Sequence, residues 1–147
     1  MGEIDINQTS KNVRSFLNGK FNRYLSWASL HLSDLPEMKK PAPHTNEVQS
    51  DSLKQMQKVI NYSQLVCYCV GKAFKDCPNQ AKKPYRTILI EKYINGKSIA
   101  ELCRTIDYSS TRTTLLTRSA LIEFALRFNT IQQQNKVTPS INLVAYK

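Results

Sequence analysis

Between residues 95 and 125 this chain reads NGKSIAELCRTIDYSSTRTTLLTRSALIEFA, and the short hydroxyls Ser109, Ser110, Thr111 and Thr114 stand beside Arg112 and Arg118. Small hydroxyl side chains at the start of a helix cap its free N–H groups and let its positive end approach an anion closely. Arginine adds a planar fork that meets a phosphate or a guanine edge with two hydrogen bonds. The chemistry open to this cluster is the binding of a polyanion. Catalysis is not expected: the sequence holds no Gly-rich phosphate loop, no His–carboxylate cluster and no nucleophile elbow.

The elements needed to position such a cluster are legible on either side of it. Ser98 followed by Glu101 has the spacing of a capping box, so a short helix is predicted from Ser98 to about Ile106, burying Ile99, Leu102, Cys103 and Ile106. Asp107 falls at the bend, where a tight turn between crossed helices needs positive φ. Ser109 or Ser110 would cap a longer helix reaching about Phe128, with Thr113, Leu116, Ala120, Phe124 and Phe128 inward. Short helix, three-residue turn and long helix is the layout of a helix-turn-helix, whose second helix enters the major groove of DNA. On that reading Ser109, Ser110, Thr111, Arg112, Thr114, Leu115 and Arg118 face double-stranded DNA, with Arg112 reading bases and Arg118, Lys97, Lys82 and Lys83 meeting phosphates. Leu115, Ile122 and Leu126 are expected to pack against the N-terminal helices, Leu115 having thymine methyl groups as its alternative.

Composition agrees with an anionic partner. The 21 Lys and Arg against 11 Asp and Glu give a net charge of +10, and the surplus is denser in residues 81–128 than in 1–80. Cys67, Cys69, Cys77 and Cys103 form no Cys-x-x-Cys pair and have no histidine nearby, so buried reduced thiols are expected, with no metal site and no cofactor. No apolar run is long enough to span a membrane, and the polar start MGEIDINQTSKN lacks a signal-peptide core. The expected location is the cytoplasm.

The expected fold class is all-α, with an N-terminal helical region (1–80), a helix-turn-helix domain (81–128) and a C-terminal tail (129–147). Val13, Phe16, Leu17, Phe21, Tyr24, Leu25 and Ala28 predict one helix over residues 11–30, capped by Thr9 or Ser10. Pro36, Pro41 and Pro43 predict an extended connection over 36–50, serving as a linker or as a surface loop. Leu53, Met56, Ile60, Ser63, Cys67, Val70 and Phe74 mark the seam of a long helix over 51–75, packed inside the chain or zipped to a second copy in a homodimer. Pro84 opens a further helix that Asn95-Gly96 closes. In the tail, the alternation of Ile141, Leu143 and Ala145 fits an added strand, a dimer arm, a docked extended segment or a disordered end.

The stretch from Gly96 to Ala125 resembles the C-terminal part of the ArpU-type phage regulators, whose pattern has a Gly-Tyr-Ser turn and ends in Ala-Leu-Leu-Glu-Phe-Ala. Here those positions read Asp107-Tyr108-Ser109 and Ala120-Leu121-Ile122-Glu123-Phe124-Ala125. ILIEKYINGKS at residues 88–98 and KNVRSFL at 11–17 are similar to further family segments. The resemblance implies a helix-turn-helix like sigma factor region 4 and control of late phage or prophage genes in a bacterial host. It also implies recognition contacts at Ser110, Thr111, Arg112, Thr114, Leu115 and Arg118. This chain departs from the pattern at Thr113, Thr114 and Leu115, where the family often has aromatics or Arg, and at Asp107, where it has Gly. The rival expectations are a phage terminase small subunit, and an interaction module that contacts host RNA polymerase without specific DNA binding.

Overall fold

The computed structural model describes residues 2–42 and 50–147. Among the described residues the fold is all-α apart from one two-stranded hairpin and an isolated bridge between Ile4 and Tyr146. The expected helix over 11–30 is instead two helices, α1 (Ile6–Ser15) and α2 (Phe21–Ala28), joined by a π-helical turn at Phe16–Lys20. Asp5, not Thr9 or Ser10, caps α1 by accepting the Gln8 N–H at 3.0 Å. Thr9 and Ser10 are buried, and Thr9 is taken up by a tertiary contact that no local rule anticipates: its hydroxyl accepts the Ala145 N–H at 2.9 Å.

Beyond α2 the chain forms a 3-10 turn at Leu32–Glu37 with Pro36 inside it, where extended backbone was predicted from Pro36 on. Pro36 is the fifth residue of this turn, past its unbonded first donors, so the turn runs through it with one backbone hydrogen bond fewer. Pro43 and the rest of the predicted connection through residue 49 lie outside the described residues. Helix α3 (Asp51–Asp76) is capped by Ser50. Its seam is inward from Ser63 through Cys67 and Val70 to Phe74, while Leu53 and Met56 at its start face solvent. The 3-10 turn docks Leu35 on Gly71 of α3 so closely that a Cβ there would lie 2.5 Å from the Leu35 carbonyl oxygen.

The hairpin pairs β1 (Asn79–Gln80) with β2 (Lys83–Pro84) and feeds α4 (Tyr85–Leu89), which passes into a π-helical turn at Ile90–Ile94. Gly96, at φ +71°, then turns the chain into α5 (Ile99–Ile106), and Asp107 into α6 (Ser110–Gln134). α6 is the axis of the molecule, packing on α1, α3, α4 and α5. Its Phe124 meets Phe74 of α3 with ring centroids 5.0 Å apart, and its Phe128 meets Phe16 at 5.7 Å. One continuous apolar core therefore runs from Val13 and Phe21 to Ile88, Leu89 and Leu102.

Of the expected tail (129–147), residues 129–134 instead continue α6 beyond Phe128, and the end of the chain docks as an extended segment along α1, burying Leu143 and Val144. Asn12 donates to the Leu143 carbonyl at 3.1 Å, and the Lys147 N–H bonds to Glu3 at 2.8 Å.

Candidate nucleic-acid interface

The predicted capping box is present in full: the Glu101 N–H donates to the Ser98 hydroxyl at 3.2 Å, and the Ser98 N–H donates to the Glu101 carboxylate at 3.3 Å. The Ser98 N–H, together with the Ser98 hydroxyl donating to the same carboxylate at 3.1 Å, holds the Glu101 carboxyl below the usual carboxylate range. α5 ends where Asp107 takes up the left-handed conformation, φ 59° and ψ 49°, and the Tyr108 N–H closes the cap on the Cys103 carbonyl at 3.2 Å. Asp is among the residues that tolerate this conformation without being glycine. Ser109 then caps α6, its hydroxyl accepting the Arg112 N–H at 3.2 Å.

The front of α6 divides as its sequence predicts. Thr113, Leu116 and Ala120 are buried, whereas Ser110, Thr111, Arg112, Thr114 and Leu115 are exposed and Arg118 is half-buried. At about 100° per residue, Thr111, Leu115 and Arg118 fall within roughly 60° of one another, in the middle of the exposed arc. Arg112 lies about 100° from Thr111, on the flank of the arc. Arg118 is thus the more central arginine, though the sequence points first to Arg112. Thr114 uses its hydroxyl donor locally, in a 2.9 Å bond to the Ser110 carbonyl, whereas the Ser109 hydroxyl only accepts as the cap and its O–H can still donate to an anion. Leu115 is 46% exposed and Leu126 37%, so neither packs against the N-terminal helices as expected; only Ile122 of the three is half-buried.

Lys82 sits in the bend of the hairpin and Lys83 opens β2 beside it, both exposed. The Tyr108 hydroxyl donates to the Ala81 carbonyl at 2.9 Å, fastening that bend beside the turn that starts α6. Asn79 accepts from both the backbone and the hydroxyl of Thr87, which anchors the other side of the hairpin to α4. The two lysines are separated from Arg112 by some thirty residues of sequence and are brought to the same region by this one tyrosine. Lys97 is differently placed: it forms an ion pair with Glu91, and that bond holds the Glu91 carboxyl below its usual range. Part of its charge is therefore already neutralised. Sequence reasoning missed the hairpin, the anchoring role of Tyr108, and Arg104, which stands exposed on α5; the Pro78-Asn79 and Lys83-Pro84 pairs were the available hairpin signal.

Among the described residues no group of His, Cys, Asp and Glu side chains is arranged to hold a metal, and no helix is long and apolar enough to cross a membrane. Burial pushes the thiols of Cys67 and Cys77 up to about 12 and that of Cys69 up to about 11. No family model, curated protein or solved structure matches this chain.

Proposed function

We propose that this chain is a double-stranded-DNA-binding transcription regulator of a phage or prophage, acting on late genes in the cytoplasm of a bacterial host. The supporting observation is the pair α5 and α6, joined through a left-handed Asp107 and presenting an exposed arc of Thr111, Leu115 and Arg118 beside the lysine hairpin. The phage and late-gene parts of the reading rest on the resemblance to the ArpU-type regulators. Arg118 and Arg112 reach base edges, Leu115 suits a thymine methyl group, and Lys82 and Lys83 hold the backbone.

The test is a titration of the full chain against its own upstream genomic DNA and a shuffled duplex of equal length. Specific readout is expected as a preference of about a thousandfold or more. Arg118→Ala should cost about 1–3 kcal/mol and relax specificity at one position, while Lys82→Ala should weaken all sequences alike and shallow the salt dependence. Equal binding of both duplexes by the wild-type chain would overturn specific recognition of that DNA.

A second reading, contact with host RNA polymerase, is favoured by the exposed Leu115 and Leu126. It is tested by co-purification with polymerase and by its loss in Leu126→Asp. The exposed Leu53, Met56 and Val59 along the start of α3 offer a face for a second copy of the chain, which light scattering would detect as a dimer disrupted by Met56→Glu.

A further inference from the structure

A cleft of about 450 Å³ opens between α2, α3 and the turn that follows α6. α6 is 25 residues long, and its N-terminal arc is roughly 30 Å from this end of the molecule at 1.5 Å per residue. The cleft is therefore separate from the helix-turn-helix face.

One wall carries Lys20, Arg23, Tyr24 and Trp27, and the facing wall carries Lys58 and Tyr62. The spacing of the first four is i, i+3, i+4, i+7, which places them on a single helical face. Tyr24 and Tyr62 meet across the floor with ring centroids 5.9 Å apart, and the Tyr62 hydroxyl donates to the Pro139 carbonyl, which fixes its ring. Trp27 stands at the rim, 46% exposed. Among the described residues no carboxylate lines the cleft, and Lys20, Arg23 and Lys58 make no ion pair with any described acidic residue. Half-exposed aromatic rings interleaved with uncompensated cations are the combination that stacks bases and tracks phosphates.

We infer that this cleft binds single-stranded nucleic acid, with Trp27 and the tyrosines stacking bases and Lys20, Arg23 and Lys58 contacting the strand's phosphates. Duplex DNA does not fit the role, because its base faces are already stacked. A free nucleotide is disfavoured because both walls are helix sides whose backbone N–H groups are used within the helices, leaving no backbone cradle for a terminal phosphate. An acidic peptide would call for aliphatic pockets, and Val59 is the one branched aliphatic side chain that the helices contribute to the described lining.

Trp27 is the sole tryptophan of the chain, so its fluorescence reports the cleft directly. The full chain is titrated with oligothymidylate of about ten nucleotides, and in parallel with ATP and with polyglutamate. The expected result is saturable quenching by the oligonucleotide, weakening with salt at a log–log slope of about −2 for its three cations. With end-labelled oligonucleotide and anisotropy, Trp27→Leu should lose about tenfold or more in affinity, and Lys58→Ala should shallow the slope by about 0.7. Unchanged thermal melting of both variants establishes that they fold. Arg118→Ala, which tests the duplex reading, should leave this binding intact, so the two proposals fail separately. The inference is overturned if Trp27→Leu binds as tightly as the wild type, if the oligonucleotide does not quench, or if ATP or polyglutamate binds as tightly as the strand.

Discussion

Gln132 is fully buried near the end of α6, and its amide grips the backbone of the tail on both sides. Its nitrogen donates to the Ile141 carbonyl at 2.9 Å, and its oxygen accepts the Ile141 N–H at 2.7 Å. Replacing it by leucine keeps the volume and removes both bonds. A neutral hydrogen bond is worth about 1 kcal/mol net, and each backbone group left unpaired and shielded from water costs about 1–3 kcal/mol. The tail can escape that second cost by undocking, but it then exposes Leu143 and Val144, now 7% and 6% accessible, at roughly 1.5–3 kcal/mol for each side chain fully uncovered. Both routes are partly offset by the new apolar side chain, which leaves an expected loss of about 2–4 kcal/mol. For a chain of this size that lowers Tm by roughly 5–12 °C. Thermal melting followed by circular dichroism measures the loss. Amide exchange at Ala145 and Lys147, whose N–H groups bond to Thr9 and Glu3, distinguishes undocking from strain. A Tm within about 1 °C of the wild type, with exchange unchanged, would refute the view that this amide secures the tail.

Gly71→Ala gains helix propensity but drives a Cβ to within 2.5 Å of the Leu35 carbonyl oxygen, so its urea midpoint should fall, by about 1–3 kcal/mol in stability; a raised midpoint would mean the 3-10 turn yields freely. Because burial shields the thiols of Cys67, Cys69 and Cys77 and raises their pKa values, a thiol reagent should modify the half-buried Cys103 first and the other three only on unfolding, as counted by mass spectrometry. The Glu91 carboxyl is held down first by its bond to Lys97, so its stabilising contribution is present above the ordinary Glu range and is lost as pH falls through its lowered value. The Tm gap between wild type and Glu91→Gln should accordingly be widest at neutral pH and close in acid, and a gap independent of pH would exclude the ion pair as its source. The pair is partly exposed, which keeps the effect small.

The most readable parts of this protein were those governed by neighbours in the chain. The Ser98–Glu101 box, the left-handed residue at Asp107, the cap at Ser109 and the inward row from Thr113 to Phe128 each depend on residues one to a few turns apart, and residue type and spacing carry that information. The same logic failed at Thr9 and Ser10, which look like caps: Thr9 serves a tail more than a hundred residues away, and the Ser10 hydroxyl donates to the Asn7 carbonyl inside its own helix. It failed again at Leu115 and Leu126, because an apolar residue on a helix is inward only if another element arrives to cover it.

What the sequence determined by itself is therefore the start of α3, the capped pair α5 and α6 and the spacing between them, since these arise from local hydrogen bonding and periodicity. Tertiary structure decided which exposed charges share a surface. Tyr108 brings Lys82 and Lys83 to the start of α6, Glu91 takes Lys97 partly out of play, and the packing of α2 on α3 sets Trp27 opposite Lys58. Those juxtapositions depend on how whole elements pack, and short-range spacing alone does not encode them.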